Sequence, residues 1–73
     1  MKTEYKYFEF IHDTDTNSWI CKTNKKVGAT FTLGTVEYYP PWKQYCYFPS
    51  GDTVYSDTCL KDIADFLQQL KNE

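Results

Sequence analysis

The chain has 73 residues, enough for one small core and too few for two domains. With 41% apolar and 25% charged residues it is too apolar to be a disordered tail. Ten acidic residues against eight basic ones leave a net charge of −2, and every basic residue is lysine. Without arginine, whose planar fork reads guanine and phosphate through two bonds at once, the composition argues against duplex-DNA recognition.

Taken in chain order, residues 4–12 (Glu4-Tyr5-Lys6-Tyr7-Phe8-Glu9-Phe10-Ile11-His12) are dense in aromatic strand formers and read as a first strand. Asp13-Thr14-Asp15-Thr16-Asn17 is a polar turn, and residues 18–23 around Trp19 and Cys21 form a second strand. Asn24-Lys25-Lys26 turns the chain into a third strand over 29–39, with a bulge or bend expected at Gly34. Pro40-Pro41 cannot lie inside a sheet and ends that strand. A fourth strand is expected over 42–48, a turn at Pro49-Ser50-Gly51-Asp52, and a short fifth strand over 53–55.

The C-terminal segment changes period. Leu60, Ile63, Ala64, Leu67 and Leu70 recur at three- and four-residue spacing, flanked by Cys59 and Phe66, which predicts one amphipathic helix over 57–71. Ser56, Asp57 and Thr58 supply N-cap candidates, and Lys71 stands where the helix dipole favours a cation. The expected fold class is α+β: a four- to five-stranded antiparallel β-meander with the helix packed on one face.

Most of these strands carry large side chains on both faces, and one helix covers only one face. In the fourth strand Trp42, Gln44, Cys46 and Phe48 share one side, and Lys43, Tyr45 and Tyr47 the other. A second, tyrosine-rich face is therefore expected to be open or to meet another chain, with Tyr5, Tyr7, Tyr45, Tyr47 and Lys43 as candidate binding residues. Trp42, following two prolines, is expected to be a packing anchor. Gln44 must either pair its amide inside or mark a wet sheet edge.

Catalytic parts are missing from the pattern. His12 is the only histidine, and the three cysteines, Cys21, Cys46 and Cys59, read as reduced, buried thiols of a cytoplasmic protein, with one internal disulfide among them as the alternative. Asp13-Thr14-Asp15-Thr16-Asn17-Ser18 imitates the start of a calcium loop, but Ser18 and Asn24 stand where glycine and glutamate belong, so a hairpin turn is expected. No C-x-x-C pair or glycine-rich phosphate loop is present. Asp62 and Asp65 read as solvated, and Glu9 and Glu37 as conceivable cross-strand neighbours outside any cleft. Neither catalysis nor a cofactor or metal is expected. The opening Met1-Lys2-Thr3-Glu4 leads into no apolar signal stretch, and no run is long enough to cross a membrane. The expected partner is a protein or a second copy of the chain, with weak single-stranded nucleic-acid binding by aromatic stacking as the alternative.

Leu33-Gly34-Thr35-Val36-Glu37-Tyr38-Tyr39, Trp42-Lys43-Gln44-Tyr45-Cys46-Tyr47-Phe48-Pro49, Thr53-Val54-Tyr55-Ser56 and Cys59-Leu60-Lys61-Asp62-Ile63 together form a pattern. It resembles a group of small uncharacterised phage, prophage and bacterial proteins of the form L-G-x-[IV]…W-[RK]-Q-Y-x-[FY]-[FY]-P…T-V-[FY]…C-L-x-D-I. The resemblance spans about residues 33–67. Lys43 stands where arginine is common in that group. The resemblance implies a phage or prophage genomic setting and assigns no catalytic residue.

Overall fold

Alternating apolar and polar residues, separated by turns rich in Asp, Asn, Pro and Gly, give four antiparallel strands. A computed structural model describes residues 1–24, 28 and 30–73. The strands are β1 (Phe8–Asp13), β2 (Ser18–Thr23), β3 (Thr32–Tyr39) and β4 (Gln44–Pro49), and the helix α1 spans Asp57–Lys71. The sheet order is β1-β2-β3-β4, every neighbour antiparallel, so the α+β meander with a C-terminal helix is the observed fold. The second strand and the helix have the bounds that the sequence predicts. No helix among the described residues is long and apolar enough to cross a membrane.

Four expectations change. Residues 4–7 lie outside β1: Glu4 makes one isolated bridge to Glu9, and the chain doubles back so that Tyr5 N–H bonds the Phe8 carbonyl. Residues 53–55 form no strand, and the expected start of the third strand is trimmed to Thr32, with Lys25, Lys26, Val27 and Ala29 outside the described residues. Pro40–Trp42 is a 3₁₀ turn rather than the start of β4, because proline at its first two positions presets helical φ. The turn ends at Lys43, whose φ of 53° is left-handed.

The inner face packs on α1. Phe8, Phe10, Cys21 and Val36 meet Ile63, Phe66 and Leu70, with Tyr5 and Leu33 completing the buried core. Phe66 is fully buried, its ring stacked on Phe10 at 3.9 Å and edge-on to Trp19 at 5.1 Å. The buried stripe of α1 is thus centred on Phe66. Leu60 and Ala64, expected inside it, are exposed, and Leu67 is half-buried. Part of the apolar arc of the helix, at Leu60 and Ala64, is left uncovered by the sheet.

The bulge falls one residue before Gly34, the position at which the sequence places it. Cys21 faces Gly34 and Lys22 faces Thr32, which leaves Leu33 as the extra residue and turns both Leu33 and Val36 inward. Gly34 leaves the space that the Tyr47 ring fills: a Cβ there would lie 2.6 Å from the Tyr47 hydroxyl and 2.6 Å from the Phe48 carbonyl oxygen. The Tyr47 hydroxyl bonds that of Tyr55, which itself donates to the Leu33 carbonyl at 2.8 Å. This chain of bonds fastens the 50–56 loop to the bulge.

A second set of polar contacts fastens the N-terminal turn. Asn24 Nδ2 donates to the carbonyls of Tyr5 (2.7 Å) and Lys6 (3.0 Å). The Gln69 side-chain amide pairs with both the N–H and the carbonyl of Lys2, each at 2.8 Å. Tyr5 donates its hydroxyl to Asp65 at 2.7 Å, so Asp65 carries a structural bond rather than only facing water. Among the described residues, every buried side-chain nitrogen and oxygen has a hydrogen-bond partner.

Candidate functional site

The sheet register decides which side chains share a surface. Ile11 pairs with Ile20, Ile20 with Thr35, and Thr35 with Phe48, so these four form one row across the helix-free face. Ile11 and Phe48 are 40% and 39% exposed. At the β4 end, Tyr39 sets its ring edge-on to Phe48 (6.0 Å) and to Trp42 (5.3 Å). Trp42 is 67% exposed, so the expected packing anchor is instead a surface residue, lifted off the sheet by the 3₁₀ turn. Glu9 opposite Lys22 and Glu37 opposite Cys46 lie on the same face, and the two glutamates are not cross-strand partners.

The five candidate binding residues are not brought together on the open face. Tyr5 is buried at 5% exposure, held by Asp65, Gln69 and the Asn24 clamp. Tyr45 and Tyr47 point to the helix side and pack half-buried against the core. Their hydroxyl-bearing rings belong there because they pair across strands with Tyr38 and Val36, and Val36 is fully buried. Tyr7 is exposed on the N-terminal turn, and Lys43 is exposed at the end of the 3₁₀ turn. The open face therefore exists, as one helix covering one side of a sheet requires, but it presents Ile11, Phe48, Tyr39 and Trp42 rather than a tyrosine platform. The alternation of β4 separates Phe48 from Tyr45 and Tyr47, while Trp42 lies in the turn before the strand, outside its parity.

β4 is the outer strand, and its edge is open along a groove of about 390 Å³. Trp42, Gln44, Tyr45, Cys46 and Tyr47 form one wall, and Ala64, Leu67, Gln68 and Lys71 of α1 the other. The exposed amide of Gln44 marks this edge as wet. On the opposite edge of the sheet, the N-terminal segment already occupies part of β1: Phe10 N–H donates to the Thr3 carbonyl, and the Phe8 carbonyl accepts from Tyr5 N–H, each at 2.8 Å.

The titratable groups are placed as packing residues. Cys21 is fully buried, and burial pushes its thiol up to about 11. Cys46 and Cys59 are half-buried rather than fully buried, and all three are unbonded. Burial, aided by the neighbouring Tyr55 hydroxyl, raises the Tyr47 phenol well above its ordinary value. Burial and Asp65 do the same for Tyr5. His12 stacks on Trp19 at 4.4 Å and hydrogen-bonds Asn17 Oδ1 at 3.1 Å. The 13–17 segment is the β1–β2 hairpin turn, closed by Asp13 accepting from Asp15 N–H and by left-handed Asn17. Among the described residues, no three His, Cys, Asp or Glu side chains cluster as metal ligands.

No protein-family model, curated protein or solved structure matches this chain.

Proposed function

We propose that this chain is a non-enzymatic protein-binding accessory domain that docks a partner on its helix-free face. The observation that carries this is Trp42, 67% exposed on a short rigid turn and backed by Tyr39 and Phe48. Trp is among the side chains that most often anchor protein interfaces, since it buries a large area at small entropy cost. The row Ile11-Ile20-Thr35-Phe48 extends the same apolar surface across the sheet, and Glu9, Lys22 and Glu37 supply a polar rim. The resemblance to small phage and prophage proteins supports a bacterial host protein as the partner.

The test is capture from bacterial lysate on immobilised wild type, beside Trp42→Ala and Ile11→Lys. Wild type is expected to retain a defined protein that both variants lose at unchanged melting temperature. Retention of nothing by wild type, or equal retention by all three, overturns the proposal. Binding of single-stranded oligonucleotides at low salt in place of protein would favour the stacking alternative.

A further inference from the structure

The open edge of β4 adjoins the face just described at Trp42, which also lines the groove, and its occupant can be argued from backbone geometry. Ser50 N–H donates to the Leu33 carbonyl at 2.8 Å, and the β3–β4 register continues from there. In an antiparallel pair every second residue exchanges bonds with its partner strand. Phe48, Cys46 and Gln44 thus turn their backbone groups toward β3, whereas Tyr45 and Tyr47 turn theirs outward into the groove. Two N–H groups and two carbonyls stand in a row without a partner among the described residues.

That row is complementary to itself. When a second β4 runs antiparallel with the dyad at Cys46, Tyr45 of each copy faces Tyr47 of the other, and both N–H groups and both carbonyls of each copy are paired. Moving the dyad to Tyr47 sets Tyr45 against Pro49, which has no N–H, and orphans the Tyr45 carbonyl. Moving it to Tyr45 sets Tyr47 against Lys43, whose N–H is already bonded to Pro40. Of the usual protections of an edge, the strand has only the proline at its end, Pro49, and lacks charge and bulge. Gln44–Pro49 contains no charge, and the β3–β4 register runs through it without a shift. Lys43 precedes it and Asp52 follows it, so antiparallel pairing brings each lysine to the end that carries the other copy's aspartate.

We infer that this chain self-associates through β4, forming a continuous eight-stranded sheet in which the second copy's strand fills the groove beside Ala64 and Leu67. The apolar margin of α1 that its own sheet leaves uncovered then meets the tyrosines of the incoming strand. The helix-free faces of the two copies become one surface.

The register makes the test specific. At the dyad the two Cys46 residues form a non-hydrogen-bonded pair with Cα atoms about 4.5 Å apart, within the span a disulfide bridges. Cys59→Ser protein treated with diamide should crosslink to a dimer through Cys46, each bond releasing two protons and passing two electrons to diamide. Light scattering on the untreated wild type should give twice the 8.7 kDa chain mass. Cys46→Lys, which sets two cations together at the dyad, should give the single-chain mass with its circular dichroism unchanged. Independent of any variant, the amides of Tyr45 and Tyr47 should gain at least tenfold protection from hydrogen exchange as concentration rises, while those of Cys46 and Phe48 are protected throughout. A single-chain mass at millimolar concentration, unchanging exchange at Tyr45 and Tyr47, or a Cys46→Lys protein that stays dimeric overturns the inference. None of these outcomes depends on whether the open face captures another protein.

Discussion

A methyl group at position 34 would lie 2.6 Å from the Phe48 carbonyl oxygen and 2.7 Å from the Tyr47 ring, and the first of these neighbours is backbone that cannot swing aside. Gly34 is needed for space, since its φ is not left-handed. Gly34→Ala should therefore destabilise the fold by about 1–3 kcal/mol through overpacking, measured by urea melting. Cys21 gives a pH signature. Its folded thiol sits near 11 against an ordinary 9.0, so the folded state resists losing the proton more than the unfolded chain does. A group raised in this way contributes stability below its unfolded value and loses it as pH climbs through the folded one. The raised phenols of Tyr5 and Tyr47 act in the same sense at still higher pH. The melting temperature should show no loss from these groups below about pH 9 and should fall steadily toward pH 11. A melting temperature unchanged at pH 11 would contradict this. Thiol reagents should label Cys46 and Cys59 in native protein and Cys21 only after unfolding.

At the scale of elements, the sequence was most readable where short-range patterning decides structure. The 57–71 helix is bounded by Ser56, whose hydroxyl accepts from Cys59 N–H at 3.3 Å, and its 3.6-residue period was visible without any partner. Ser56→Ala should cost about 1 kcal/mol, read from thermal melts. The 4–7 segment misled because nothing local distinguishes it from a strand. What folds it back is Asn24, whose side-chain amide holds the carbonyls of Tyr5 and Lys6, and Gln69, which holds the backbone of Lys2 just before it and the Tyr5 hydroxyl. Trp42 misled for a different reason. The two prolines correctly signalled the end of β3, but they also preset the 3₁₀ turn that lifts the indole into solvent. In β4 the alternation was legible and the side was not. Which set of residues meets the helix is decided on the neighbouring strand, where the Leu33 bulge turns Val36 inward and thereby draws Tyr47 with it. The open face was inferable as geometry; its membership depended on that one extra residue.

For the molecule as a whole, one helix closes the inner face of the sheet. Phe66 joins β1 and β2 to α1 through Phe10 and Trp19, and Phe66→Ala should cost about 3–5 kcal/mol. A domain of this size holds only several kcal/mol in total, so the variant should be largely unfolded near body temperature by circular dichroism. The same dependence predicts that a chain ending at Ser56 keeps strand-forming segments but binds hydrophobic dye and shows no cooperative melt.

The position of that helix also gives the chain a history during synthesis. Each strand's partner is its neighbour in sequence, so the meander can pair hairpin by hairpin as it emerges. The lid over Phe8, Phe10 and Val36 follows every strand in sequence, so the aromatic side of the sheet stays bare until α1 has emerged and docked, and the hairpins must hold without it up to that moment.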